Sequence, residues 1–260
     1  MEPKEKMERL AQSGEDRVLL ARVWERLEGG RRRNIPAFTA FLSLREQELV
    51  RRLMGEENLT FFGGYPGAER AVACFLPDYL EEDDLGEEGP VACLRATFFE
   101  KGALSHRDFL GSLMGAGIKR ETVGDICVGK GQCDFFLLSD IAPYVEQNLV
   151  SAGRTKLHLE RIPLAAAEIP VPETLTRQDT LASLRLDSVI GAGFRVSRNQ
   201  AVRYVLSGAA AVDGLTCEKP DRILTEGAVV SVRGLGKIRL TLVKGQTRKG
   251  RLSVEIEKFV

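Results

Sequence analysis

The segment 185–208 constrains the fold of this chain more than any other, because its polar residues stand where only helix ends need them. It reads Arg-Leu-Asp-Ser-Val-Ile-Gly-Ala-Gly-Phe-Arg-Val-Ser-Arg-Asn-Gln-Ala-Val-Arg-Tyr-Val-Leu-Ser-Gly. Ser197, followed three residues later by Gln200, is a capping box: the hydroxyl accepts a free amide at a helix start and the longer side chain reaches back. Ala201, Val202, Val205 and Leu206 then recur at helical spacing as a buried stripe, and Gly208 stands where a left-handed C-cap belongs. A shorter helix is expected upstream through Leu186, Val189 and Ile190, ended by Gly191 and Gly193. Downstream, 210–212 and 215–217 flank Asp213-Gly214, a hairpin signal, and 228–232 reads as a further strand leading to Arg233-Gly-Leu-Gly-Lys237. Two short helices against a small twisted sheet follow from this pattern. Arg195, Arg198, Asn199 and Arg203 lie off the apolar stripe, with Asn199 and Arg203 four apart and so neighbours on the helix surface. Helix-terminal amides and guanidinium forks both suit phosphate oxygens.

Charge points the same way. The chain has 37 Lys+Arg and 37 Asp+Glu in 260 residues, a net of zero that hides an asymmetry. From residue 183 onward there are 14 basic and 7 acidic residues, a net of +7, which leaves 23 basic and 30 acidic residues, a net of −7, upstream. Opposite signs on two parts of one chain suggest that the C-terminal part faces a polyanion. No apolar run reaches the roughly 18 residues of a membrane span, and the charged first nine residues do not resemble a leader. A cytoplasmic protein is expected. Cys74, Cys93, Cys127, Cys133 and Cys217 form no C-x-x-C pair, and His106 and His158 are distant in sequence. Reduced, mostly buried thiols are therefore expected, with no metal and no cofactor.

Residues 4–28 read as a helix carrying Leu10, Val18, Leu19, Ala21, Val23, Trp24 and Leu27, stopped by Gly29 and Gly30 ahead of a basic loop, Arg31 to Arg33. A second helix opens at Ser43, boxed by Glu46, shows an apolar stripe at Leu49, Val50 and Leu53, and ends at Gly55. Beyond residue 59 the runs 70–76, 91–99, 126–128, 135–138 and 156–162 resemble strands. A helix capped by Ser105 and Asp108 buries Phe109, Leu110, Leu113 and Met114, and another is expected across 139–152. Two helices on one face of a small, mainly antiparallel sheet is the simplest arrangement. Glu81 to Asp84, with Glu87 and Glu88, reads as a solvated loop, and the prolines of 169–174 mark a linker. The fold class is α+β: a helical N-terminal segment, 1–58, a central α/β domain, 59–168, and a C-terminal domain, 183–247, with a tail to 260.

No catalytic residues are assigned. Ser105, His106 and Asp108 are adjacent on one helix start and cannot orient one another as a triad. Gly115-Ala-Gly117 lacks the third glycine and the strand-to-helix context of a nucleotide loop. Phe98, Phe99, Phe135 and Phe136 fall in strand patterns without the aromatic RNA-stacking motif, so RNA contact by the central domain is expected to do without that platform. His106 and Arg107 are candidates for a surface RNA contact.

The string R-L-D, then S-R-x-x-A with Arg two residues later, S-G-x-x-x-V-D-G, K-P and V-x-S-V-R-G resembles an S4 (αL) RNA-binding domain. It departs from that family at Asp213, where Asn is usual. Phe62-Gly-Gly-Tyr65, Ala68-Glu-Arg70, Ser105-His-Arg-Asp-Phe-Leu-Gly111, Gly117-Ile-Lys-Arg-Glu121, Gly124-Asp-Ile126 and Val232-Arg-Gly-Leu-Gly-Lys237 extend the likeness to the whole chain, which resembles the YlmH-type S4 proteins of bacteria. That resemblance implies a central RRM-like domain and a non-enzymatic role on the 50S ribosomal subunit, in rescue or quality control of stalled translation. The expected partners are structured RNA (ribosomal RNA and tRNA), with no membrane, no small-molecule substrate and a monomeric state. The RNA-binding residues assigned are Arg185, Arg195, Ser197, Arg198, Asn199, Arg203, Lys219, Arg233 and Lys237. The alternative is an RNA-modifying enzyme, pseudouridine synthase-like or methyltransferase-like, that docks through S4. A pseudouridine synthase also carries its catalytic Asp in R-L-D, but only 73 residues follow Asp187 here, too few for that domain, so Asp187 is read as structural. A third reading is an adaptor that holds RNA at one end and protein at the other.

Overall fold

Capping serines start the second and third helices of the computed structural model, which describes residues 2–55, 59–86, 89–99, 104–171, 173–247 and 250–259. After α1 (Pro3–Leu10), Ser13 accepts the Asp16 amide and starts α2 (Gly14–Arg33). This helix does not stop at Gly29-Gly30 but runs to Arg33 and closes on Asn34 at φ 52°. The physical reason is packing: a Cβ on Gly30 would stand 2.5 Å from the Ala37 Cβ, so glycine lets helix and following strand touch. Arg31 to Arg33 thus occupy a helical last turn, where positive charge is favoured, and the Arg31 guanidinium lies 5.8 Å from the Phe75 ring centre.

The N-terminal segment is not purely helical. β1 (Ala37–Leu42) precedes α3 (Leu44–Met54), whose box is formed, Glu46 Oε2 accepting the Ser43 amide and hydroxyl, both at 2.7 Å. β2 (Leu59–Phe62) and β3 (Ala71–Phe75) complete an antiparallel sheet in the order β1-β3-β2. A six-residue apolar run does not declare itself strand or helix, and β1 is decided by a pairing partner some thirty residues further on. Asp16, buried in α2, accepts Arg45 Nη1 and Nη2 at 2.8 and 2.7 Å, and this hydrogen-bonded pair holds its carboxyl at about 2.

β4 (Val91–Thr97), α4 (His106–Gly115), β5 (Val123–Val128), β6 (Gln132–Leu138), α5 (Ala142–Asn148) and β9 (His158–Ile162) form a β-α-β-β-α-β unit, in which a small hairpin, β7 (Ser151–Ala152) and β8 (Thr155–Lys156), precedes β9. The sheet order is β5-β6-β4-β9, every neighbour antiparallel. α5 is shorter than its apolar pattern because Pro143 sits in its first turn and the chain turns into the β7–β8 hairpin. Phe109, Leu113 and Val145 pack on Leu94, Ala96, Phe135 and Leu137 on one face. On the other, Cys93, Cys127 and Phe136 pack on Phe41, Val72 and Cys74 from the first sheet. The acidic stretch is a 3-10 turn, Glu82–Leu85, pinned by buried Leu85; Glu87 and Glu88 lie outside the described residues. All five cysteines are free and buried, and burial pushes the Cys74 and Cys93 thiols up to about 12, far from the thiolate that reactivity needs.

The chain divides into two compact units, Met1–Pro170 and Val171–Val260. The second unit contains β10 (Thr174–Leu181), α6 (Leu186–Phe194), α7 (Arg198–Leu206), β11 (Ala210–Val212), β12 (Leu215–Thr216), β13 (Val229–Val232), β14 (Gly236–Gln246) and β15 (Leu252–Phe259). Its sheet runs β10-β15-β14-β13-β11-β12. Thr174, placed in the linker by its sequence context, pairs with Phe259 at the start of an eight-residue register. β10 is mostly polar and lies at the sheet edge, reaching the core only with Leu181 at its end, so it carries no apolar alternation to announce it. Both helices lie on one face, Val189, Ile190, Ala201 and Val205 against Val230, Ile238, Leu240, Val254 and Ile256. α6 passes through Gly191 and Gly193 rather than ending there: a Cβ on Gly193 would meet Ile238 Cδ1 at 2.5 Å, so glycine admits the strand below. The helix ends at Arg195, which is left-handed at φ 56°.

Among the described residues no helix is long and apolar enough to cross a membrane, and no cluster of His, Cys, Asp and Glu is arranged to hold a metal.

Candidate nucleic-acid interface

The cationic surface of the second unit is organised by one buried carboxylate. Asp187, 1% exposed, accepts Arg185 Nε at 3.1 Å and Nη2 at 3.0 Å, Ser188 Oγ at 3.2 Å and Arg198 Nε at 3.3 Å. Burial alone would raise its pKa; the hydrogen bonds from Arg185 and Arg198 outweigh that, and the carboxyl stays below the usual range. Asp187 thereby fixes two guanidiniums from different helix ends, one 33% and one 67% exposed, with their outer edges toward solvent. The backbone seats this anchor. Asp187 N donates to Pro220 O at 3.0 Å and Leu186 N to Arg222 O at 2.8 Å, which brings the loop carrying exposed Lys219 alongside the start of α6.

α7 begins as its sequence dictates: Ser197 Oγ accepts the Gln200 amide, and Gln200 Oε1 accepts the Ser197 amide and hydroxyl at 3.0 Å each. It ends with Gly208 at φ 68°, where the Gly208 and Ala209 amides donate to Val205 O and Tyr204 O. Arg195, Ser197, Arg198, Asn199 and Arg203 are all exposed on this helix and the turn before it. The Arg233 amide donates to Ala209 O at 2.9 Å, which holds exposed Arg233 beside the last turn of α7. In the hairpin, Asp213 at φ 50° and Gly214 at φ 78° form the left-handed pair such a two-residue turn requires. Asp213 Oδ1 accepts the Val229 amide at 2.9 Å, so this carboxylate serves the sheet.

Lys237 is placed apart from the others. Strand alternation sends Ile238 into the core beneath the helices, so Lys237 and Arg239 emerge on the opposite face, 5.3 and 5.5 Å from the Phe259 ring centre. Sequence reasoning missed Arg239, Phe259 and the anchoring role of Asp187. Phe259 belongs to a strand not recognised from the sequence, whereas the R-L-D string did hold the clue to Asp187.

In the first unit, the motif residues converge on architecture. Asp125 accepts the Tyr65 hydroxyl at 2.8 Å and the amides of Glu69 and Arg70 at 2.7 and 3.1 Å. The Arg70 side chain donates to Val123 O, Phe41 O and Arg120 O. Phe62-Gly-Gly-Tyr65, Ala68-Glu-Arg70 and Gly124-Asp-Ile126 thus fasten one loop over the central sheet. Burial is the main cause, and the Asp125 hydrogen bond a further one, that pushes the Tyr65 phenol far above its usual range.

A family model described as "Putative RNA-binding domain in YlmH" matches residues 96–166, which run from the end of β4 past β9. A solved structure, cell division protein ylmH from Streptococcus pneumoniae, superposes with a TM-score of 0.50 at 21% identity, covering 62% of this chain and 98% of that one, a likeness of fold. Ribosome-associated protein quality control protein P2 of Bacillus subtilis (strain 168) is 34% identical over 223 residues, 85% of this chain and 86% of its own length. With identity at that level across most of both sequences, the chain belongs to the YlmH-type family.

Proposed function

We propose that this protein is a non-enzymatic, cytoplasmic RNA-binding factor that acts on the large ribosomal subunit in the quality control of stalled translation. The observation that carries the reading is the Asp187 anchor, which presents Arg185 and Arg198 beside the capped start of α7. In this reading α6, α7 and the β11–β12 hairpin are an S4 module spanning about 183–247. Arg195, Ser197, Asn199, Arg203, Lys219 and Arg233 extend its phosphate-binding surface, and Lys237 contributes from the other side of the sheet. The β-α-β-β-α-β order of residues 91–162 supports an RRM-like central domain. The ribosomal setting rests on the Bacillus subtilis relative, whose name describes a ribosome-associated quality control protein. The module would clamp folded ribosomal RNA, with tRNA as a second ligand, by shape and backbone contacts rather than by reading base sequence. We take the protein to act as a monomer, every residue named for this surface lying on one chain.

Sucrose-gradient sedimentation of lysate at moderate salt tests the proposal. Wild-type protein is expected to co-migrate with 50S particles, and the Arg198→Ala/Arg203→Ala variant to remain near the top. The variant should also bind with a salt dependence shallower by up to about two units, one for each phosphate no longer neutralised. Wild-type protein that never enters the 50S peak would overturn the ribosomal reading. A search for new modified nucleosides after incubation with ribosomal RNA tests the enzymatic alternative, and none are expected.

A further inference from the structure

The central sheet of the first unit has no free face for bases. Opposite α4 and α5, Phe136 is fully buried against Tyr65, with ring centres 5.0 Å apart, and a Cβ on Gly64 would meet the Phe136 ring at 2.5 Å. One end of the sheet is a different matter. β4 finishes there at Thr97, which pairs with Gln132 at the start of β6 and with His158 at the start of β9. The Phe98 amide donates to Gly131 O in the β5–β6 turn at 3.0 Å, and Phe98 packs on Phe109 in the first turn of α4, ring centres 5.8 Å apart.

These contacts bring exposed basic side chains from four places in the sequence to one end: His106 and Arg107 on α4, Lys130 in the β5–β6 turn, Lys156 on β8 and His158 on β9. Both histidines of the chain are among them, although sequence spacing sets them far apart. Asp108, the carboxylate in the first turn of α4, accepts the Ser105 amide at 2.8 Å and hydroxyl at 2.7 Å and also interacts electrostatically with Arg107, so it offsets only part of the charge of the five basic side chains. Phe99, next to Phe98 just past the end of β4, is 79% exposed, a large apolar ring left in solvent at this end of the sheet. A basic surface next to an open aromatic ring is the combination that single-stranded nucleic acid requires, with phosphates on the cations and a base on the ring.

We propose that this end of the central sheet is a second RNA contact, binding a phosphate backbone through Arg107, Lys130 and Lys156 and stacking an unpaired base on Phe99. The inference deepens the RNA-binding reading above and rests on it. It locates the contact at the end of the domain instead of on a sheet face, and all the residues named fall within the span 96–166 matched by the RNA-binding family model.

The test uses the full chain and purified 50S subunits as probe, with binding measured across a salt series and ultraviolet cross-links mapped by mass spectrometry. The Arg107→Ala/Lys130→Ala/Lys156→Ala variant changes only exposed side chains, and an unchanged thermal melt will show that it folds. It is expected to bind more weakly, with a salt slope shallower by about two to three units. Wild-type protein is expected to give a nucleotide cross-link on the peptide containing Phe99, abolished in Phe99→Ala while the salt slope stays the same. Unchanged affinity and slope in the triple variant, with cross-links confined to residues 171–260, would overturn this surface and leave the C-terminal reading standing. Absence of any wild-type binding would overturn both.

Discussion

Replacing Asp187 by alanine is expected to destabilise the C-terminal unit by about 2–3 kcal/mol and to weaken RNA binding together with it. The carboxylate is 1% exposed and accepts three guanidinium bonds, so its removal leaves Arg185 and Arg198 without the charge that orients them. Removing one partner of a buried pair costs about 3–5 kcal/mol. Here Arg198 is 67% exposed and water will take up much of its charge, which lowers the figure. For a unit of this size the midpoint should fall by roughly 10–20 °C. Hydrogen exchange across α6 and α7 should report the destabilisation, while fluorescence of Trp24, the single tryptophan and a residue of the first unit, should show an unchanged transition there. The same carboxyl makes stability pH-dependent. Its folded pKa lies below the ordinary aspartate value of 3.8, so its contribution is complete above that value and disappears as pH falls through the folded pKa. Wild-type protein should therefore lose stability in the C-terminal unit on acidification more steeply than Asp187→Asn. Equal slopes would remove Asp187 from its anchoring role.

The second large effect belongs to Gly63. An alanine Cβ there would stand 2.3 Å from the Ala68 Cβ and 2.6 Å from the Arg70 carbonyl oxygen. Neither neighbour can rotate away, because one is a Cβ and the other is backbone. Relief requires the 63–70 loop to move, and that strains the hydrogen bonds from Tyr65, Glu69 and Arg70 to Asp125. Overpacking of this kind costs about 1–3 kcal/mol, and the strained hydrogen bonds should bring the total to about 3–4 kcal/mol. Gly67→Ala is the control: at φ 85° with open space around it, it should cost only the roughly 1–2 kcal/mol of a left-handed alanine. Denaturant titrations followed by Trp24 fluorescence would compare them. A Gly63→Ala midpoint no lower than that of Gly67→Ala would mean that the loop is not the rigid fastening described.

The local devices of this fold were legible in the sequence. Ser43 with Glu46, Ser105 with Asp108 and Ser197 with Gln200 all start helices where their spacing says they should. Asp213-Gly214 turns a hairpin and Gly208 closes α7. Each of these depends on backbone groups within a few residues, so the chemistry and its partner are read together. Glycine inside a helix misleads for the same reason. Gly30 and Gly193 look like stops when only neighbours count, and they become packing sites once Ala37 and Ile238 are placed against them.

The sequence by itself determined the caps, the turn, the positive balance of the last 78 residues, counted from residue 183 of 260, and the apolar stripes in part: in α7 Ala201 and Val205 are buried, but Leu206, expected in the same stripe, is 61% exposed. Tertiary structure alone decided that β1 joins β3, that β10 pairs with β15, and that Lys237 faces away from α6 and α7. It also decided that Arg185 and Arg198 share one carboxylate and that both histidines reach the same end of a sheet. The division has a physical cause. Capping and turn formation are settled by φ, ψ and hydrogen bonds along a few consecutive residues. Strand partners, and the face on which a side chain emerges, depend on burial against residues far away in the chain, which no local pattern specifies.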